Sequence, residues 1–332
     1  MKLAVLGAGA WGTALAICFA RQHRVLLWGR NPLQMEALAQ ERVNRQYLDG
    51  FAFPEGLNVA ASLEQAIDGA DLILIVTASA GLRSTLQKIV AAGCADIPML
   101  WACKGFEANS ALLPHKVVAQ EYPVATPTGV LSGPSFAKEV AAGLPAALTL
   151  ASFDAAFARD IAAQLQNSRL RVYSSEDVVA VEVGGAVKNV MAIAAGISDG
   201  LKLGNNARAA LITRGLAEIS RLGLKLGGRM ETFMGLTGMG DLILTCTGDL
   251  SRNRRVGLSL AEGKTLDVIL HELGHVAEGV ASAREVQRLA RENEVEMPIT
   301  DAVCSALFDN APVRSVIERL MVRDSKPEFR AE

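Results

Sequence analysis

Three glycines, spaced Gly7-x-Gly9-x-x-Gly12, stand directly behind the apolar run Lys2-Leu3-Ala4-Val5-Leu6 and open a helical stretch from Thr13 to Arg21. A second strand-like run begins at Arg24. Few folds tolerate that order. The first glycine permits a tight strand-to-helix turn, and the second lets a pyrophosphate approach the backbone. The third allows the helix to pack closely on the strand. Free N–H groups at the helix start then hold the phosphates of a dinucleotide. An ordinary glycine turn is the plain alternative, but the strand before and helix after favour the phosphate reading. The same segment, Met1-Lys2 followed by mostly apolar residues to Ala20, imitates a signal peptide or a membrane span. The glycines spoil that reading. No other stretch is expected to reach the length a bilayer needs, so the chain is expected not to be an integral membrane protein.

The first half alternates short apolar runs with helical patterns. Residues 2–6, 24–28, 58–60, 71–77, 98–103, 129–131, 146–151 and 170–173 read as strands. Several are apolar throughout, as in Leu72-Ile73-Leu74-Ile75-Val76, which is how strands buried on both faces look. Such strands imply a parallel sheet flanked by helices. Asn31-Pro32, Ser62 and Ser110 are expected to open helices between the strands. After about Ser175 the pattern changes. Ile212, Leu216 and Ile219, then Val286, Leu289 and Ala290, recur at helical spacing. The expected architecture is α/β: a Rossmann-like doubly wound sheet over residues 1–176, an all-α C-terminal domain over 177–322 that begins with a long helix near Asp177, and a flexible tail over 323–332.

The cofactor depends on the end of the second strand. An acid there would hold the 2′-hydroxyl of NAD. Trp28-Gly29-Arg30-Asn31 has none, and Arg30 stands where a cation pairs with a 2′-phosphate. NADP is favoured over NAD, although Arg30 as a solvated residue beside a helix start is the plainer alternative.

Ligands of an open parallel sheet bind beyond the carboxyl ends of its strands. Lys104-Gly105 and Gly133-Pro134-Ser135 both follow such ends. Lys104 is either a site residue or a surface lysine. Lys188 lies in Gly184-Gly-Ala-Val-Lys188-Asn189-Val-Met-Ala-Ile, a helix apolar on almost every side. Such helices are buried, and lysine is rarely buried without a partner. Desolvation and a neighbouring cation would lower its pKa toward a value useful for proton transfer; a snorkelling lysine is the alternative. Asp241 and Thr245 share one helix face, and N-capping alone would account for Asp241. Ser251-Arg252-Asn253-Arg254-Arg255 reads as a helix start able to take a substrate phosphate. A solvated basic patch fits Arg254 and Arg255 better than Arg252.

Composition excludes other classes. The 332 residues carry a net charge of −2 and 5% aromatics, against the basic total and stacking platforms of a nucleic-acid binder. Five cysteines with no C-x-x-C pair suit a reduced, cytoplasmic setting. His271-Glu272-Leu-Gly-His275 matches the H-E-x-x-H zinc signature; no third histidine follows, which leaves Glu294 or Glu296 as the third ligand, and Gly274 weakens the helix. No metal is expected.

Taken together, residues 7–13, 101–105, 131–139, 183–199, 206–215, 238–247, 251–255 and 276–279 resemble the bacterial-type NAD(P)-dependent glycerol-3-phosphate dehydrogenases. The resemblance runs over essentially the whole chain. It implies interconversion of dihydroxyacetone phosphate and sn-glycerol 3-phosphate, supplying phospholipid synthesis. It implies that Lys188 is the proton donor to the ketone, assisted by Asp241 and Lys104. Substrate contacts would be Lys104, Gly133, Ser135, Lys188, Asp241, Ser251, Arg252 and Asn253. Cofactor contacts would be the glycine turn with Ala10 and Trp11, then Arg30, Tyr47, Lys104, Ala137, Arg252, Val276 and Glu278. Ala10 departs from a frequent serine, and Asp49 from a frequent proline after Tyr47-Leu48. A homodimer is one option for the assembly. The rival readings are a ketopantoate reductase or 3-hydroxyacid dehydrogenase, whose substrates lack a phosphate for residues 251–253, and a catalytically silent NADP sensor, which would not need Lys188.

Overall fold

The computed structural model describes residues 1–123, 125–273, 277–309 and 311–322. The expected tail 323–332, His275 and Val276 lie outside the described residues. Ten strands occur among those described: β1 (Lys2–Leu6), β2 (Arg24–Trp28), β3 (Val43–Asn44), β4 (Asp49–Ala52), β5 (Leu57–Val59), β6 (Leu72–Ile75), β7 (Met99–Trp101), β8 (Thr128–Ser132), β9 (Ala146–Ala151) and β10 (Leu170–Ser175). Eight of them form one sheet in the order β10-β9-β8-β7-β6-β1-β2-β5, and each of the eight expected strand runs lies in it. Along the central strands alternate side chains enter opposite cores. Leu3, Val5, Leu72 and Leu74 pack on one face, whereas Ala4, Leu6, Ile73 and Ile75 pack on the other. Burial on both faces is why these runs show no polar alternation.

Two features of the sheets depart from the sequence reading. β9 pairs with β8 antiparallel, so β9 and β10 run against the other six. The link between β8 and β9 contains only the helix Ala137–Ala142, about 9 Å long at 1.5 Å per residue, too short to carry the chain back along the sheet. An apolar run carries no direction, so periodicity could not reveal this. The ribbon β3–β4 was not expected either, because neither strand is long enough for a pattern. Asn31 and Ser62 cap helices as expected, accepting from Leu33 and Gln34 N–H and from Gln65 N–H respectively. Ser110 does not. Its helix starts at Pro114, and the Ser110 hydroxyl instead donates to Glu107 at 2.7 Å.

The reversed strands β9 and β10 deliver Ser175 to the amino-terminal edge of the parallel strands. The helix Val178–Gly200, capped by Asp177, then climbs back past the sheet. It is packed on by the helices Gly204–Lys225, Asp241–Thr247, Arg252–Ala261, Glu278–Glu292 and Pro298–Phe308. Its length and hydropathy suffice to cross a bilayer, contrary to the expectation that no second stretch would, yet almost all of it is buried in protein. Its apolar surface satisfies the core of the helical half, with Val190, Met191 and Ile193 fully enclosed. Crossing is close where Gly196 meets the Arg254 carbonyl. A Cβ there would lie 2.0 Å from that oxygen.

Glu218, on Gly204–Lys225, completes this half by capping another helix. The first turn of Pro298–Phe308 has no side-chain cap of its own. Glu218 accepts from Ile299 N at 2.7 Å and from Thr300 N at 3.2 Å. Glu218→Ala leaves two buried N–H groups unpaired and is expected to cost roughly 2–4 kcal/mol, read as a lowered midpoint in urea melts. A wild-type midpoint would show that water replaces the carboxylate without loss.

Candidate active site

The glycine turn is built as the spacing demands. Gly7 has φ +130°, and a Cβ there would sit 2.5 Å from the Val76 carbonyl of the adjoining strand's end. At Gly12 a Cβ would lie 1.8 Å from the Gly7 carbonyl. At Gly9, by contrast, nothing lies within 4 Å of such a carbon. The turn is packed solid on its protein side and open on its outer side. Gly9 caps the helix Ala10–Phe19 without any side-chain acceptor, so the first N–H groups of that helix are left for an outside anion. Trp11 Nε1 and Thr77 Oγ1 are buried nearby without partners among the described residues. Donor-rich, uncapped and open, the turn fits the pyrophosphate of a dinucleotide. The Ala8 carbonyl within it accepts from Gln34 Nε2 at 2.9 Å and Asn44 Nδ2 at 3.0 Å. Asn44 Nδ2 also reaches the Thr13 hydroxyl at 2.7 Å. Neither bracing residue was foreseen, since a single amide, on the helix Pro32–Glu41 for Gln34 and at the end of β3 for Asn44, carries no sequence signal. Arg30 follows the end of β2 and is exposed, Tyr47 is half-buried in the short helix Arg45–Leu48, and Ala137 opens the helix after β8.

Lys104 follows β7 on the same sheet edge, and the climbing helix brings Lys188 to it. Gly185 passes beside Ser132 and the Lys104 side chain. Lys188 is 6% exposed. Its Nζ lies 2.5 Å from Asp241 Oδ1 and donates to Thr245 Oγ1 at 3.0 Å. Lys104 Nζ donates to Asp241 Oδ2 at 2.8 Å and to the Gly133 carbonyl at 3.3 Å. One carboxylate thus holds two ammonium groups, one on each oxygen. Asp241 is the first residue of Asp241–Thr247, and Gly240, not Asp241, stands at its N-cap. The capping alternative fails because the carboxylate is turned inward to the lysines. Burial acts to raise the Asp241 pKa, but the two ammonium groups outweigh it and hold the group ionised, below its ordinary range. Burial pushes Lys188 down from 10.5 to about 8; Asp241 pulls it back up, and Lys104 pushes it further down. Of the three N–H donors on an ammonium, two are committed among the described residues.

Ser251 caps the helix Arg252–Ala261, accepting from Arg254 N at 3.3 Å. Asn253 is buried, donating to Asn189 Oδ1 and accepting from Gly279 N, each at 3.0 Å. Arg252 is exposed at the same helix start, whereas Arg254 is pinned by Asp199 at 2.7 Å and Asp249 at 3.0 Å. That pinning replaces the solvated role expected of Arg254. Glu278 opens the neighbouring helix; burial raises its pKa, against the influence of Arg252, Lys104 and Lys188. Ser135 is half-buried and donates to the Gly133 carbonyl at 3.2 Å. Lys104, Lys188, Asp241, Gly133, Arg252 and Glu278 therefore come together in one cluster, while Arg30 and Tyr47 lie apart from it, after β2 and in the short helix Arg45–Leu48. In the zinc-like motif, Glu272 pairs with Lys264 at 2.7 Å from the helix Leu266–Leu273, and Gly274 and His275 lie outside the described residues.

Residues 2–158 match the family model described as NAD-dependent glycerol-3-phosphate dehydrogenase N-terminus, and residues 177–318 match its C-terminus. The chain is 61% identical over 333 aligned positions to glycerol-3-phosphate dehydrogenase [NAD(P)+] of Nitrosospira multiformis, covering 99% of this chain and 100% of that protein. It is 58% identical to the protein of that name from Thiobacillus denitrificans, with 99% and 100% covered. The crystal structure of glycerol-3-phosphate dehydrogenase from Coxiella burnetii superposes with a TM-score of 0.93 at 42% identity, over 97% of this chain and 99% of that one.

Proposed function

The chain belongs to the NAD-dependent glycerol-3-phosphate dehydrogenase family, and from that premise we propose how its residues divide the interconversion of dihydroxyacetone phosphate and sn-glycerol 3-phosphate. It is an NAD(P)-dependent oxidoreductase of the CH–OH group. Lys188 donates the proton to the ketone oxygen in reduction and recovers it in oxidation. The observation that carries this role is a buried ammonium with two N–H groups tied to Asp241 and Thr245 and the third without a hydrogen-bond acceptor among the described residues. Asp241 keeps that ammonium aimed and charged, and Lys104 adds a second cation beside the oxygen where negative charge grows. Bound NAD(P)H supplies the hydride.

Gly7, Gly9, Ala10, Trp11 and Gly12 would hold the pyrophosphate, with Arg30, Tyr47, Lys104, Ala137, Arg252, Val276 and Glu278 as further contacts to the dinucleotide. The exposed guanidinium of Arg30 and the lack of an acid after β2 support NADPH as the favoured form. Ser251, Arg252 and Asn253 would take the substrate phosphate, together with Gly133 and Ser135. Binding energy from that non-reacting group fixes the ketone against Lys188. We further propose a division at residue 176 between cofactor and substrate domains, a homodimer, a cytoplasmic location, and supply of glycerol 3-phosphate for phospholipid synthesis.

The test is NADPH oxidation with dihydroxyacetone phosphate against dihydroxyacetone, repeated with NADH. A kcat/KM higher for the phosphorylated ketone by on the order of 10³-fold is expected, from the charge-assisted contacts a phosphate makes. Equal rates with both ketones would remove residues 251–253 from substrate recognition, and faster turnover with NADH would remove the role given to Arg30.

A further inference from the structure

Glu182 is a buried acid that the reaction as described leaves unused. It stands on Val178–Gly200, six residues before Lys188, and is 5% exposed. Its carboxylate is held by the sheet half of the molecule. Oε1 accepts from the Trp101 indole Nε1 at 2.9 Å and from the His115 backbone N at 2.8 Å. Oε2 lies 2.5 Å from His115 Nδ1. Trp101 ends β7, three residues before Lys104. His115 is in the first turn of the helix Pro114–Glu121, whose N-cap, Leu113, offers no side-chain acceptor. Glu182 fills that vacancy from another element.

Apolar packing would join this helix to β7 at less desolvation cost. A carboxyl group held by two N–H donors and the His115 ring nitrogen adds fixed direction and register instead. We propose that Glu182 is a positioning residue, which ties the end of β7 to the central helix and so sets the spacing of Lys104 and Lys188 across Asp241. This rests on the reading of Lys188 as proton donor. Both ammonium groups contact the same carboxylate, at 2.8 and 2.5 Å, so a slide of β7 along the helix opens one contact. The groups facing Lys188 are Asp241, Thr245 and Cys246, Lys104 after β7, and Glu278. Those facing Glu182 are His115 and Cys103. Moving Lys104 away removes a cation from Lys188 and leaves Asp241 to pair with Lys188 alone. Both changes raise the Lys188 pKa.

The experiment is the pH profile of single-turnover NADPH oxidation by dihydroxyacetone phosphate, with thermal melts alongside, for wild type, Glu182→Ala, Glu182→Gln and Trp101→Phe. Wild type is expected to lose activity along a limb near pH 8. Glu182→Ala moves that limb upward by about half a unit or more and slows the step about tenfold, with the KM for NADPH unchanged. Glu182→Gln keeps an acceptor for the indole and a donor for the other tautomer of His115, and it restores most of both. Trp101→Phe removes only the donor on β7 and moves the limb the same way by less. A limb that stays in place in Glu182→Ala, or in Trp101→Phe should the alanine variant not fold, with only the melting temperature lowered, would make Glu182 a brace and overturn the proposal. A wild-type profile with no limb near pH 8 would take away the role of Lys188, and this inference with it.

Discussion

Lys188→Ala is expected to lose turnover by on the order of 10³-fold or more while NADPH affinity stays within about twofold. A positioned general acid alone contributes about 10²–10⁴-fold, and in the role proposed for it Lys188 would also place a cation beside the developing alkoxide. The glycine turn lies on the other half of the molecule, and Asp241 keeps Lys104 at 2.8 Å, so neither cofactor binding nor the charge balance of the site collapses. The pH dependence has a definite sign. Burial lowers the Lys188 pKa to about 8. Ketone reduction needs the ammonium and falls as pH rises through about 8; alcohol oxidation needs the free amine and rises over the same window. Stopped-flow rates in both directions, with fluorescence titration of NADPH, check both statements. Full activity in the alanine variant would end the assignment.

Gly12→Ala should have the second-largest effect, for steric reasons alone. Its Cβ would lie 1.8 Å from a backbone oxygen of Gly7, and backbone cannot swing aside as a flexible side chain can. The helix Ala10–Phe19 would have to lift from β1, disturbing a core that includes Ala14, Leu15 and Ile17. Overpacking of this kind costs roughly 1–3 kcal/mol or more, and the N–H groups proposed to hold the pyrophosphate move with the helix. NADPH binding is expected to weaken about 10²-fold or more. Gly9→Ala is the control: its Cβ meets nothing within 4 Å, so melting is unchanged while the cofactor loses room to approach. A Gly12→Ala protein with wild-type melting and NADPH affinity would mean the turn is softer than its packing implies.

Lys188 and Glu182 sit on the same apolar helix, and burial of the whole helix makes both exceptional for the same reason. Lys188 could be singled out because its helix is apolar on almost every side and Asn189 adds a second polar group beside it. Glu182 passed unnoticed, although the same rule applied to Val181-Glu182-Val183 would have flagged it. Its meaning lay in Trp101 and His115, and neither is near it in the chain. Asp241 was legible as a candidate but not as a partner, since capping and pairing leave the same letters in a sequence. Arg254 and Arg252 look alike in Ser251-Arg-Asn-Arg-Arg, yet Asp199 pins one and leaves the other exposed.

From its letters alone this protein could be assigned its glycine turn, its eight sheet strands, the switch to helices after Ser175 and the burial of Lys188. Each of these depends on local sterics or on periodic apolar surface, which neighbours in sequence encode. Strand direction, the two-lysine clasp on Asp241, the bracing of Ala8 by Gln34 and Asn44, and the anchoring of Glu182 were decided by tertiary structure. Those contacts join residues that are remote in the chain, and only the packed fold brings such groups within hydrogen-bond reach.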